Sequence, residues 1–531
     1  MINVSAQVYS APFAGILQRD NRHHLTIFLG LIVASVIIYL QFSPWQQPTG
    51  GDLTMWDYMA QSIVRGAIPY KDVVNIKTPL GAYLSAIAIL VGRSIDVRDL
   101  IAIRYLYIIL SALTVAMTYL VAQAYWQRKD VSLLAAVMML SYDSFAIWNA
   151  SGSQVKTPAI LCGLLSLYSV ARGRAFIAGC WGALAFWCWQ PGLLFVGVAG
   201  LVFCRFLTKP FHPQAWRTAL GAFLPLLLGG LCFFAQHAWT DFYRWNFQFN
   251  TTSNSSVRSL GKLEKSAERV VPVIQKAYNN EWLWFALAPL GFLWHGVEII
   301  RRVRRYQLAD LLSASWRLAP IIALIVYIIF SALNLQSGPD MIFFLPFISI
   351  YAAYILSNIV EYLPRRRELM AAIIILVTIF KVADAFAYKP EFTLQDEELQ
   401  WREVVAQLAP SDTVYAQGSL DLLVLYNLPN ANKYIYLDRG KDIYAGQLEP
   451  GGFDGIIMGL KQKHPKFVSL AKLNHVYEQK RLLAWMDELY EPYAIITSTN
   501  NGVSSSTFPC NVYRIKGANS FTVENKEGTQ H

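Results

Sequence analysis

Residues 50–81 read GGDLTMWDYMAQSIVRGAIPYKDVVNIKTPLG, and they follow an uncharged apolar run, LTIFLGLIVASVIIYLQF, at residues 25–42. When helical, a run of that length matches the hydrocarbon thickness of a bilayer. The stretch that follows carries acids, lysines and turn residues, so we expect it to leave the membrane and lie at its surface. Asp52 and Lys77 are the charged residues of this stretch on which the functional prediction depends.

The composition is that of a membrane protein. Of 531 residues, 55% are hydrophobic and only 15% are charged, against roughly 25% charged residues in an average soluble domain. The net charge of +10 comes with basic residues in short clusters between apolar runs, as at 301–305 and 365–367. Such clusters are typical of cytoplasmic loops, so no nucleic-acid partner is expected.

The apolar runs predict a polytopic α-helical membrane protein of about eleven transmembrane helices. The piece at 79–92 is too short to span comfortably, so we interpret it as an interfacial helix in the first outer loop, about 43–99. With eleven spans the basic clusters all fall on one side, which identifies the cytoplasm. The spans lie near residues 25–42, 100–124, 131–148, 157–171, 175–190, 191–207, 217–238, 281–300, 317–336, 339–358 and 368–388.

The tail differs in composition from the rest and indicates a soluble C-terminal α/β domain. The sequence therefore predicts a transmembrane catalytic module over 1–388 and a non-cytoplasmic domain over 389–531. Periodicity within the tail predicts helices and strands. The helices are expected at 396–408 and 478–488, and the strands at 413–415, 433–437, 454–460, 466–468, 493–497 and 511–515.

The first outer loop holds the residue types that a reaction on a lipid headgroup needs. A carboxylate such as Asp52 can accept the proton of an attacking hydroxyl or help to bind a divalent cation. The ammonium of Lys77 is a point charge suited to a phosphate that must be held and released. Taken alone, an acid and a lysine in an outer loop are more often solvated or paired with each other.

Several spaced elements of this loop occur in a characteristic order. They are Gly51-Asp52, Tyr58-Met59-Ala60-Gln61, Gly66, Pro69-Tyr70-Lys71-Asp72 and Lys77-Thr78-Pro79-Leu80. The arrangement resembles the first-loop signature of the GT-C membrane glycosyltransferases, in the branch of the lipid A aminoarabinose transferases and protein O-mannosyltransferases. The resemblance is strongest over about 45–175 and rests on topology elsewhere.

The resemblance implies a hexosyl- or pentosyltransferase with a polyprenyl-phosphate sugar donor, a lipid, glycan or protein acceptor, and inversion at the anomeric carbon. It implies that Asp52 is the catalytic carboxylate and that Lys77 contacts the donor phosphate. Arg104 and Lys156 are further candidates for phosphate contact, although Arg104 could equally be an interfacial anchor. The expected location is a bacterial inner membrane, with the site and the C-terminal domain on the periplasmic face.

One departure from the family concerns its second acid, which is usually found before the fourth span. Here residues 150–158 read ASGSQVKTP, so Lys156 or Thr157 stands where an acid is expected. No metal site is therefore assigned, although a divalent cation remains possible and no other cofactor is expected. Asp143 could compensate if it faces the cavity, or it could cap the outer end of its helix.

Other residues are candidates for lining the same cavity: Asp57, Tyr58, Tyr70, Asp143 and Asp340. Asp340 could equally be a helix N-cap. Two rival functions remain open at this point. One is a transporter or flippase of lipid-linked sugars, and the other is a non-catalytic membrane subunit.

Overall fold

The computed structural model of the chain describes residues 21–204, 212–252, 260–305, 315–500 and 503–517. The first part of the chain is helical. Its helices are α1 Asn21–Leu40, α2 Gly51–Val64, α3 Leu80–Ser94, α4 Asp99–Trp126, α5 Lys129–Leu140, α6 Asp143–Ser151, α7 Lys156–Ala171, α8 Ala175–Cys188, α9 Leu194–Phe203, α10 Pro213–Ala235, α11 Trp239–Tyr243, α12 Phe249–Thr252, α13 Leu260–Ala277, α14 Trp282–Arg305, α15 Ala319–Asn334, α16 Leu345–Glu361 and α17 Arg366–Ala387.

The C-terminal part combines helices with one sheet. The helices are α18 Leu394–Ala406, α19 Asp421–Leu425, α20 Lys441–Leu448, α21 Gly452–Lys463 and α22 Gln479–Leu489, and the strands are β1 Val414–Gln417, β2 Phe467–Ala471, β3 Tyr490–Asn500 and β4 Val503–Ile515. The strand order is β1-β2-β4-β3. The β1 and β2 strands are parallel, whereas β4 runs antiparallel to both β2 and β3.

Five helices of the described residues, α1, α4, α10, α14 and α17, are long and apolar enough to cross a membrane. The α5 and α6 helices pass the same test as one span bent by 54°. Shorter apolar helices of 10–17 residues lie at α3 and at the remaining predicted spans, which correspond to α7, α8, α9, α15 and α16. Within the described residues every predicted apolar run therefore falls on helix, while the count of eleven spans stays a prediction.

The outward faces of the long helices are apolar. Leu220 and Phe234 on α10 are 59% and 70% exposed, and Ile379 and Phe380 on α17 are 59% and 67% exposed. Soluble monomers rarely expose contiguous apolar surface of this kind, whereas lipid is a suitable solvent for it. The central α4 helix is by contrast mostly buried and contacts α1, α5 and α7. The chain is an integral membrane protein built around α4.

Most elements predicted for the C-terminal part are confirmed, and two predictions are wrong. Residues 433–437 form no strand, and residues 454–460 lie within α21. In α21 the apolar residues Phe453, Ile456, Ile457 and Leu460 recur at helical spacing and are buried. Gly451, at φ 81°, caps the start of this helix, and the surrounding glycines obscured the helical period in the sequence.

The C-terminal part packs directly on the first loop. The amide of Val74 donates to the Lys433 carbonyl at 2.9 Å, and Gln61 Nε2 donates to the Val424 carbonyl at 3.0 Å. Trp56 of α2 belongs to the same buried apolar cluster as Trp401 of α18. The region that begins near residue 394 is therefore packed as one body with the loop that precedes α3.

The turn into α2 generates a testable prediction. At Gly50, φ is +151° and an added Cβ would lie 2.3 Å from the Thr499 carbonyl oxygen. Gly50→Ala should therefore lower the free energy of unfolding by about 2 kcal/mol or more, because strain and a backbone clash add. Thermal unfolding in detergent measures the effect. Gly30→Ala, where a Cβ meets nothing within 4 Å, is the control. Equal midpoints for the two variants would contradict this account of the turn.

Candidate active site

Asp52 lies in the first turn of α2, directly after two glycines of positive φ, Gly50 at 151° and Gly51 at 55°. Its side chain is exposed, whereas Leu53 and Trp56 beside it are buried. The positive end of the helix dipole faces this carboxylate. The local sequence therefore turns sharply out of the preceding segment and presents an acid at a helix N-terminus.

Lys77 lies in a loop whose backbone is held by side chains. The Tyr70 hydroxyl donates to the Lys77 carbonyl at 2.7 Å, and the Lys77 amide donates to Asn75 Oδ1 at 3.2 Å. Burial lowers the pKa of the Lys77 ammonium, and the nearby charge of Asp52 acts in the opposite direction. An anionic ligand would raise the pKa of Lys77 again, because a negative charge stabilises the ammonium. Lys77 would therefore bind an anion in its protonated form.

Lys156 begins α7 and is buried. Its Nζ donates to Asp340 Oδ1 at 2.7 Å and lies 5.3 Å from the centre of the Trp189 ring. Asp340 Oδ2 in turn accepts from the amides of Gln336 and Ser337 at 2.8 and 3.0 Å. The Lys156–Asp340 pair thus ties α7 to the segment before α16.

Asp52, Lys77 and Lys156 line one pocket. Its walls are Asp52, Leu53, Trp56, Lys77, Ser153, Gln154, Val155, Lys156, Ser337 and Pro339. The cavity measures about 20 Å³, which admits about one water-sized group. A sugar phosphate could enter only if the walls move apart.

Asp57 supports this pocket from behind. It is 1% exposed, and its Oδ1 accepts from the amide of Ser153, a pocket residue, at 3.0 Å. Burial raises the pKa of Asp57 to about 6, although Ser153 and the Arg104 charge lower it. Tyr58 faces elsewhere, since its buried hydroxyl accepts from the Asn430 amide at 2.8 Å. Asp340 and Tyr70 were also predicted to line the cavity, but neither is among its walls. Asp340 instead pairs with Lys156, and the Tyr70 hydroxyl donates to the Lys77 carbonyl.

Arg104 lies fully buried in α4, away from the pocket walls. Its guanidinium donates to the carbonyls of Pro44, Pro48 and Ser151 at 2.7, 3.1 and 3.0 Å. With these contacts, the guanidinium holds the segment that leads to Asp52.

Asp143 lies in a second cavity, of about 350 Å³, whose walls include Phe42, Glu281, Asp384 and Tyr388. It forms an ion pair with Lys381 and accepts from Asn280 Nδ2 at 3.3 Å. The structure therefore does not bring Asp143 together with Asp52. Among the residues that the structure describes, no group of three or more His, Cys, Asp or Glu could hold a metal ion.

The C-terminal part contributes residues that the sequence did not identify. The Tyr436 hydroxyl donates to the Gly51 carbonyl at 3.1 Å, across 385 residues of chain. Burial lowers the pKa of the half-buried Lys472, while Asp52 is the nearby charge that most strongly opposes this shift. No signal in the sequence indicated either residue, because nothing there says which segments meet in space.

The fold has counterparts among solved structures, although no model of a known protein family and no curated protein matches the sequence. ArnT from Cupriavidus metallidurans in the apo state aligns with a TM-score of 0.56 at 13% identity, over 93% of this chain and 98% of that one. ArnT bound to undecaprenyl phosphate aligns with a TM-score of 0.54 at 12% identity, over 92% and 97%.

A third structure is the Archaeoglobus fulgidus oligosaccharyltransferase in complex with Zn and sulfate. It aligns with a TM-score of 0.51 at 13% identity, over 90% of this chain and 72% of that one. ArnT and this enzyme are both GT-C glycosyltransferases. Identities this low establish a shared fold and not a shared activity. The resemblance to the GT-C proteins is thus confirmed at the level of fold.

The ion pair at the pocket wall generates a prediction. Asp340→Asn keeps the side-chain shape but leaves the Lys156 ammonium buried without its carboxylate, which should cost about 3 kcal/mol of unfolding free energy. Adding Lys156→Met should recover part of that loss, because the unpaired charge is then gone. Thermal unfolding in detergent measures both variants. Asp454→Asn is the control, since Asp454 is 69% exposed and 4.0 Å from its partner. If Asp340→Asn were as stable as Asp454→Asn, the Lys156–Asp340 pair would not contribute to stability as described.

Proposed function

We propose that this chain, which has the GT-C fold, is a membrane glycosyltransferase that moves a sugar from a polyprenyl-phosphate carrier to an acceptor. The observation that carries the proposal is that Asp52, Lys77 and Lys156 line the same pocket. One carboxylate beside two ammonium groups matches a reaction in which an acceptor loses a proton and a phosphate becomes the leaving group.

In the proposed reaction Asp52 accepts the proton of the acceptor hydroxyl as its oxygen attacks the anomeric carbon. The bond from that carbon to the phosphate oxygen breaks, and its electron pair leaves with the polyprenyl phosphate. Attack opposite the leaving group gives inversion. Lys77 offsets the charge that develops on the phosphate.

The other basic residues take different proposed roles. Lys156 contacts the donor phosphate only if it can exchange its Asp340 partner, because the pair is formed in the structure. Arg104 is a support for the segment before Asp52, since its donors bind three carbonyls. A divalent cation would have to be held by Asp52 with groups of the substrate, and no step here depends on one.

The carrier and the location extend the proposal. ArnT was solved with undecaprenyl phosphate, and a lipid of that class would place its phosphate at headgroup level. The predicted eleven spans put Asp52 and the C-terminal part on the side opposite the basic loops. We therefore place the site on the periplasmic face of a bacterial inner membrane, with a hexose or pentose as the transferred sugar.

Asp52→Asn tests the function. The variant keeps the shape of the side chain but cannot accept a proton, so transfer should fall by about 100-fold or more. The assay uses the full-length protein in proteoliposomes, with synthetic undecaprenyl-phosphate hexoses and pentoses as donors. Membranes of the source cells supply the acceptor. Mass spectrometry detects the undecaprenyl phosphate that is released. Binding of undecaprenyl phosphate should persist in the variant.

Asp96→Asn is the matched control. Asp96 lies in the same first loop, is exposed, and has φ of 59°, which asparagine also tolerates. This variant should transfer at the wild-type rate. Full activity of Asp52→Asn would remove the catalytic role, and a wild-type protein that moves intact sugar lipid without releasing the carrier would indicate a transporter.

A further inference from the structure

The segment between α1 and Asp52 is short and is anchored by side chains from distant parts of the chain. Arg104 binds the carbonyls of Pro44 and Pro48. The carbonyl of Gln46 accepts from the amide of Leu394 at 2.8 Å. The amides of Gln46 and Gln47 both donate to the Ser43 carbonyl within the segment, but its later part, Pro48 and Thr49, is held by residues distant in the sequence.

Thr49, three residues before Asp52, is held entirely by the C-terminal part. Its amide donates to Glu397 Oε2 at 2.7 Å, and its hydroxyl Oγ1 lies 2.5 Å from Glu397 Oε1. Its carbonyl accepts from the hydroxyl of Thr499. Amide, hydroxyl and carbonyl are thus each engaged, so the position of Thr49 is defined by α18 and β3.

The connection from Thr49 to Asp52 consists of two glycines. Gly50 and Gly51 have positive φ, and glycine has the widest conformational freedom of any residue. Without a fixed point at Thr49, that freedom would pass directly to the Asp52 carboxylate. The Tyr436 hydroxyl on the Gly51 carbonyl restricts the same connection from the other side.

Glu397 is fully buried, and the charged groups that face it are Asp421 of α19 and Arg104 of α4. Burial and the charge of Asp421 raise the pKa of Glu397, whereas the hydrogen bonds from Thr49 and the charge of Arg104 lower it. Each carboxyl oxygen of Glu397 thus accepts one hydrogen bond, Oε2 from the amide of Thr49 and Oε1 from its hydroxyl.

We propose that Glu397 is a positioning residue for Asp52, and that through the contacts of Glu397, Thr499 and Tyr436 the C-terminal part completes the active site. The inference rests on the proposed function, in which Asp52 is the proton acceptor. A misplacement of about 1 Å is enough to cost a large factor in rate. The sequence separation of 348 residues between Thr49 and Glu397 makes the contact dependent on the whole fold.

Two substitutions at position 397 test the proposal in the full-length protein. Glu397→Gln keeps an acceptor for the Thr49 amide, and its amide group can donate to the Thr49 hydroxyl, which can also act as an acceptor, so kcat should stay within about threefold. Glu397→Leu fills the same space without hydrogen bonds and should lower kcat at least tenfold with KM nearly unchanged. Glu403→Gln, an exposed acid on the same helix, is the control and should match wild type.

Hydrogen exchange measured by mass spectrometry on peptides that contain residues 44–52 gives a readout that needs no substrate. Exchange at these residues should rise in Glu397→Leu and stay at the wild-type level in Glu397→Gln. Wild-type kcat in Glu397→Leu, or unchanged exchange in that variant, overturns the positioning role alone. A wild-type protein without transfer activity overturns the proposed function and this inference together.

Discussion

The charges around the pocket depend on a rigid frame, because a carboxylate and ammonium groups leave bulk water only where something holds and neutralises them. Lys156 and Asp340 neutralise each other across two helical segments. Asp52 and Lys77 are placed by turns whose backbones are fixed through hydrogen bonds. The pocket is therefore a product of the surrounding packing, and its charged residues come from the first loop, which carries Asp52 and Lys77, and from α7, which carries Lys156.

The membrane helices were largely predictable from the sequence, whereas the pocket was predictable only in part, since of the predicted site residues Asp52, Lys77 and Lys156 line it. Uncharged apolar runs of spanning length usually form membrane-spanning α-helices, and each predicted run falls on helix in the described residues. The first-loop pattern predicted that Asp52 and Lys77 would share a site, and they line one pocket. The misassigned α21 shows the limit of such patterns, since glycines at its start and middle obscured a helical period that burial then revealed.

Long-range contacts were not predictable in the same way. Arg104 occupies an interior position where three carbonyls converge, which no local pattern indicates. Asp143 lines a second cavity and pairs with Lys381, although it lies on the helix that leads towards the pocket residue Ser153. Glu397 and Tyr436 reach the first loop only because the C-terminal part folds back onto it. In each case the partner is set by tertiary packing.

The most direct measurement is an experimental structure of the full-length protein with undecaprenyl phosphate. The account predicts phosphate density within about 3 Å of Lys77 Nζ, with the Asp52 carboxylate on the same side and the pocket wider than its present 20 Å³. Phosphate density in the cavity beside Asp143, with Asp52 and Lys77 directed into separate environments, would contradict it.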